Sequence, residues 1–243
     1  MIRFIRNLTK GTFIFPFLKG FYGYWTELLE ELDFKLRGTA SLKAQLERTQ
    51  DRKRIEDTIR GWEEKGKPIP APGCFKQKVV MDYGKKFKLK ILIETGTYRG
   101  EMVYAAKDSF SRIYSIELSR KFYERAKSLF SEYGHITIYL GDSATVLPKI
   151  LESADGPCLF WLDAHYSGGD TAKGDSDTPI WAELETISRH EMKKHVILID
   201  DARDFSGRNG YPTLEELKGF CKKRFPRHSM SVEDDIIRIS PVA

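Results

Sequence analysis

The chain has 243 residues, with 40 Lys or Arg against 35 Asp or Glu, a net charge of +5 and a pI near 8.9. A charged fraction of 31% beside 41% hydrophobic residues belongs to a globular chain with ample core, and excludes disordered and collagen-like classes. The basic excess is small and spread along the chain, too weak to argue for nucleic acid; a solvated surface is the reading, and no nucleic-acid partner is expected.

There is no apolar run of about eighteen residues or more, hence no expected transmembrane segment. Cys74, Cys158 and Cys221 are odd in number and far apart. They imply no disulfide framework or zinc site, and a reducing, cytoplasmic setting is the expectation.

From Met1 to Gly38, basic residues (Arg3, Arg6, Lys10, Lys19) interleave with aromatics such as Phe4, Phe13, Phe15, Phe17, Phe21, Tyr22, Tyr24 and Trp25. Charge and Pro16 break its apolar runs, and no small-residue cleavage site follows, so it is not a signal peptide. Two readings stand: an arm that meets a membrane surface or a partner, or aromatics packed on the rest of the chain or across a homodimer. Ser41 to Lys65 is expected as one helix with an apolar stripe of Leu42, Leu46, Ile55, Ile59 and Trp62. The Pro-rich stretch Gly66 to Gly73 then divides an N-terminal helical extension, 1–72, from a second domain, 73–243. Phe75 to Lys86 reads as a helix leading into the first strand, with Lys76, Lys78 and Tyr83 as candidate ligand contacts.

Ile91-Leu-Ile-Glu-Thr-Gly-Thr-Tyr-Arg-Gly100 is the stretch on which the domain turns. A buried strand runs into an acid and two glycines, and Glu101 to Phe110 follows with helical spacing. Strand, glycine turn and helix let a backbone approach a ligand closely. Ser111 to Glu117 is a second strand, ending in an acid about twenty residues beyond Gly96, where nucleotide-binding α/β folds place a carboxylate for ribose hydroxyls. A nicotinamide site would want a glycine where Tyr98 stands, so the pattern favours an adenosine ligand without a pyrophosphate. His135 to Leu140 is a third strand, followed by Gly141-Asp142-Ser143, with an acid placed to read an adenine amino group.

In order and spacing, Glu94-Thr-Gly-Thr-Tyr-Arg-Gly100, Glu117, Gly141-Asp142-Ser143 and Trp161-Leu-Asp163 resemble the class I S-adenosylmethionine-dependent methyltransferases, over roughly Ile91 to Phe205. The resemblance implies an α/β, Rossmann-like sheet of seven strands, mostly parallel with the last antiparallel. It also implies S-adenosylmethionine as cofactor. The turn Glu94, Thr95, Gly96, Thr97, Tyr98 and Gly100 would line it, with Glu94 and Gly96 at the methionine end. Glu117 and Leu118 would meet the ribose, Asp142 and Ser143 the adenine, and Asp163 would stand beside the cofactor.

Further along, Glu117 to Phe130 and Asp142 to Leu151 read as crossover helices, and Pro157 to His165 as a fourth strand. Ser167 to Asp177 is a small, polar loop of lid or substrate-recognition type. Thr178-Pro179 signals a helix start. His195 to Asp200 is a fifth strand ending in Asp201, Tyr211 to Lys223 a last helix, and His228 to Val232 with Asp235 to Ser240 a terminal strand pair.

Asp163, Asp200 and Asp201 close two strands expected to be neighbours, about 4.8 Å apart, so their carboxylates can converge. Three hard oxygen ligands suit Mg²⁺ or another divalent cation; the opposing reading is turn and cap chemistry, which also favours Asp. This arrangement is similar to the metal-dependent macrocin- and novobiocin-type sugar O-methyltransferases, which implies Asp163, Asp200 and Asp201 as metal ligands. Where that group has a second acid as general base, this chain has His165, whose neutral imidazole can take a hydroxyl proton near neutral pH. Arg203 and Arg208 are candidates to grip an anionic group on the substrate.

The expected function is O-methylation of a small polyhydroxylated molecule, such as a sugar, glycan or natural product. Metal-independent N- or C-methylation, and a non-catalytic binding module of the same fold, are the alternatives.

Overall fold

The computed structural model describes residues 38–163 and 178–242. The N-terminal arm to residue 37, His165 and the polar loop through Asp177 lie outside the described residues.

Seven strands form one sheet: β1 (Ile91–Thr95), β2 (Arg112–Glu117), β3 (Ile136–Leu140), β4 (Cys158–Leu162), β5 (Val196–Ile199), β6 (His228–Glu233) and β7 (Ile236–Pro241). Their spatial order is β3-β2-β1-β4-β5-β7-β6; β1 to β5 pair in parallel, and β7 runs antiparallel to both β5 and β6. The expected seven-stranded α/β sheet with an antiparallel last strand is therefore observed. Strands β1, β4 and β5 are buried at every residue, as parallel strands covered on both faces must be.

Side-chain alternation along these strands divides the core into two layers. Ile91, Ile93, Phe160, Ile197 and Ile199 face α6 (Ser143–Glu152), α7 (Ile180–Arg189) and α8 (Leu214–Arg224). Leu92, Ile113, Leu159, Trp161 and Leu198 face α1 (Thr39–Thr49), α3 (Gly73–Lys86), α4 (Glu101–Ala106) and α5 (Arg120–Leu129). Helix α2 (Arg52–Glu64) leans on α3, with Trp62 and Phe75 ring centroids 4.6 Å apart.

The stretch from Ser41 to Lys65 is two helices, not the single one its apolar stripe suggests. Asp51 explains the break: its side chain accepts from the Arg54 N–H at 2.8 Å and starts α2 afresh. Leu46 of α1 is buried among Val80, Val103 and Leu129, so the first described helix belongs to the same apolar layer as the sheet. At α7 the helix begins one residue later than Thr178-Pro179 suggests; Pro179 is the cap residue, and the Thr178 hydroxyl accepts from the Ile180 N–H at 3.3 Å. Helix α8 opens on a capping box between Thr213 and Glu216.

Candidate functional site

Where the chain leaves β1 it moves outward through β2 and β3, then returns to β4 on the other side. In open parallel sheets the crevice beyond the strand ends at such a reversal is the usual ligand site. The glycine turn, Glu117, Asp142 and the three acids all stand at this end.

The turn after β1 folds back onto β2. Gly96 (φ 88°) and Thr97 both donate from their backbone N–H to the Ile116 carbonyl, at 2.9 and 3.3 Å. Gly100, at φ 76°, caps α4, and a side chain there would start only 2.9 Å from the Phe130 ring. Both conformation and space demand glycine at Gly100. Tyr98 also takes a left-handed conformation, φ 48°, which aims its N–H at Glu117 Oε2 at 2.7 Å. Ser119 N–H donates to the other Glu117 oxygen at 2.8 Å. Burial raises the Glu117 carboxyl, while these backbone donors pull it down. Each carboxylate oxygen keeps a lone pair, so two ribose hydroxyls still have acceptors. The Leu118 side chain beside it is partly exposed, and Asp142 caps α6, accepting from the Ala144 N–H at 2.8 Å.

Glu94 points to the face that carries α3 and α4, across from Ser115 in the β1–β2 register. Ser115 Oγ donates to Glu94 and lies 2.5 Å from Thr97 Oγ1, so a buried polar chain underlies the turn. Burial pushes the Glu94 carboxyl up to about 8, against the Ser115 bond, with Asp163 and Glu117 adding to the rise.

The parallel ladder continues one residue beyond β4 and β5. Asp163 N–H donates to the Thr95 carbonyl and Asp200 N–H to the Leu162 carbonyl, both at 3.1 Å. That places Asp163 and Asp200 at matching ends of adjacent strands. Asp201 follows in a left-handed conformation (φ 54°), a strained state for a residue with a side chain. Asp163, Asp200 and Asp201 each bring a carboxylate oxygen within 4.8 Å of the others. The structure thus brings together the acidic trio expected from the sequence.

It also places a cation there. Lys76, from α3, reaches Asp200 at 2.5 Å and Asp201 at 3.5 Å. Burial, and then Asp163, push the Asp200 carboxyl up to about 7, with Lys76 opposing them. Of the three α3 residues weighed as ligand contacts, only Lys76 enters the site. Lys78 pairs with Asp82 on the surface, and Tyr83 stacks on Phe87. Arg203 pairs through its guanidinium with Asp201 and Asp235, with its side chain 34% exposed. Arg208 is exposed.

Two features escaped the sequence reading. Lys76 was visible, but its pairing with acids more than a hundred residues later was not. Glu183 of α7 is 1% exposed. Its signal was an acid at an apolar position of the helical repeat Ile180, Glu183, Leu184, Ile187.

No family model and no curated protein matches this sequence. Solved structures share its fold, among them the following three. The O-methyltransferase TomG from Streptomyces achromogenes, in complex with SAM, is 16% identical and covers 78% of this chain and 89% of its own, with a TM-score of 0.52. An O-methyltransferase from Bacillus cereus in complex with SAH is 15% identical over 76% of this chain and 90% of its own, TM-score 0.52. A methyltransferase from Geobacter sulfurreducens is 13% identical over 90% of this chain and 96% of its own, TM-score 0.52. At such identities the likeness is one of fold, and the fold is the Rossmann-like sheet of the methyltransferases.

Proposed function

We propose that this protein is an S-adenosylmethionine-dependent methyltransferase that methylates a hydroxyl of a small polyhydroxylated molecule, such as a sugar, glycan or natural product. One observation carries the reading. Three neighbouring strands end in a glycine turn, a doubly held carboxylate and an acidic helix cap, while the next two end in converging acids.

The residues fit the cofactor. Gly96 and Gly100 supply the positive-φ backbone of the turn, Glu117 offers two acceptors to the ribose, and Asp142 stands ready for the adenine, with the buried Ser143 hydroxyl behind it. When bound, the cofactor supplies an electrophilic methyl group on a sulfonium, which leaves as a neutral thioether. Transfer is an in-line displacement, so the protein's work is to position the accepting oxygen and take its proton. His165, outside the described residues, is the proposed base, two places beyond Asp163 in the sequence.

The donor set also fits a divalent cation, since three carboxylate oxygens are the hard ligands such ions take. Asp163, Asp200 and Asp201 would hold it once the Lys76 side chain turned out. A bound cation would lower the pKa of the accepting hydroxyl and orient it. The Lys76 ammonium among these acids favours a second reading, in which the trio is balanced by lysine and transfer needs no metal.

Calorimetric titration of S-adenosylmethionine and S-adenosylhomocysteine into the protein, with Mg²⁺ and then with EDTA, tests both. Binding of both ligands that Glu117→Ala weakens at least about a hundredfold, the loss of two hydrogen bonds to a charged group, is expected. Binding of neither ligand would sink the methyltransferase reading. Turnover that EDTA leaves intact would select the lysine-balanced form.

A further inference from the structure

The β6–β7 hairpin reaches the site end of the sheet. Its register sets Ile237 opposite Ile199, so the turn residues Asp234 and Asp235 stand beyond the end of β5, beside the turn that carries Asp201. Both take left-handed backbone, φ 53° and 65°, as a two-residue I′ turn requires. Asp235 turns inward, its side chain only 2% exposed. Its carboxylate accepts the Arg203 N–H at 2.9 Å and also the Arg203 guanidinium, while its carbonyl accepts the Ala202 N–H at 2.9 Å. The same guanidinium nitrogen donates to Asp201 Oδ1 at 2.7 Å. Asp234 turns elsewhere, to Lys67 at 3.2 Å and Arg238 at 3.6 Å.

Three bonds from one hairpin residue thus hold the short turn Ala202–Asp204, which begins at Asp201. Asp201 itself stands at φ 54°, and a residue with a side chain keeps such backbone only where its surroundings over-determine it. We propose that Asp235 is a positioning residue for the acidic trio: through Arg203 it fixes the Asp201 side chain, and with it the spacing of the three carboxylates that would hold a divalent cation. The inference rests on the cation reading above. An outer partner of this kind orients a ligand before the ion arrives, so less has to be ordered when the ion binds.

The test is titration of Mn²⁺ into the full chain, followed by the electron paramagnetic resonance signal of the free ion, for wild type, Asp235→Asn and Asp234→Asn. Asparagine is at home in an I′ turn, so both variants keep the backbone, and each removes one negative charge from the same hairpin tip. Loss of an outer partner weakens metal binding about tenfold to a hundredfold, and Asp235→Asn is expected to lose at least the smaller figure. Asp234→Asn stays within about threefold of wild type, because a charge that does not touch the ligands is screened. Equal losses in the two variants would reduce the effect to charge and overturn the proposal, as would full affinity in Asp235→Asn.

Calorimetry with S-adenosylhomocysteine separates positioning from general damage. Strands β4 and β5 lie between β1 and β7, so Asp235→Asn keeps the wild-type affinity for this ligand. A parallel loss of both ligands would mark a merely structural role and overturn the proposal. Arg203→Lys is the second arm: it keeps the charge on a shorter stem and breaks the bridge between Asp201 and Asp235, so Mn²⁺ affinity again falls about tenfold. Unchanged affinity there would overturn the proposal, and this arm decides alone if Asp235→Asn does not fold. Wild type that binds no Mn²⁺ overturns the cation reading and the proposal with it, an outcome distinct from variants that bind as wild type does.

Discussion

Replacing Lys76 by Met is the perturbation that asks most of the acidic trio. The Lys76 side chain is only 15% exposed, and its ammonium lies 2.5 Å from Asp200 and 3.5 Å from Asp201. A unit charge pair at about 4 Å, at an effective dielectric of about 20, is worth about 4 kcal/mol, and removing one member of a buried pair costs about 3–5 kcal/mol. Asp200 limits that loss. Its carboxyl already stands at about 7, so it can take up a proton in place of the missing cation. The expected destabilisation at neutral pH is thus near the lower figure, about 3 kcal/mol, or a fall in Tm on the order of 10 °C. Urea denaturation followed by far-UV circular dichroism would measure it. Adding Mg²⁺ should then stabilise Lys76→Met more than wild type, because in the variant no ammonium competes for the same oxygens. A variant as stable as wild type would show that Lys76 does not balance the trio. An equal response to Mg²⁺ in both proteins would show that the ion does not bind where Lys76 sits.

Two further outcomes are expected. His195 Nδ1 accepts the Cys158 N–H at 3.0 Å, so its proton sits on Nε2, which faces His190 Nδ1 at 2.9 Å. Burial pushes His195 down to about 3, below an unfolded value of about 6.5, so stability is whole above the unfolded value and drains as pH falls toward the folded one. The slope approaches about 1.4 kcal/mol per pH unit for that one proton, and His195→Gln should flatten it in urea denaturation at about pH 5 against about pH 7; equal slopes would refute the assignment. Gly100→Ala forces a side chain into a left-handed conformation and toward the Phe130 ring, which should cost at least about 1–2 kcal/mol. No measurable loss of stability would mean that the turn does not need glycine.

Much of the architecture was legible before any coordinates. Runs such as Ile91-Leu-Ile and Val196-Ile-Leu-Ile lie in a sheet covered on both faces, and their continuous apolar character says so directly. Glycine before α4 and Asp before α6 announce where those helices start. The two helices read as one show the limit of periodicity. A stripe from Leu42 to Trp62 carries no sign of the break at Asp51, because a capping side chain acts on the backbone and not on the apolar pattern.

Local order alone determined the strands, the glycine turn and the presence of an acid at each strand end. Those features follow from backbone preferences and short-range spacing. Only the tertiary structure decided which groups share a charge. The β4–β5 register brings Asp163 beside Asp200, and the packing of α3 across the sheet delivers Lys76 to them. The same packing pairs Arg203 with Asp201 and Asp235. It also buried Glu183 among the apolar side chains of α7. Electrostatic partnership depends on distance in space, and these distances are set by layers closing on one another, over separations in sequence that no local pattern spans.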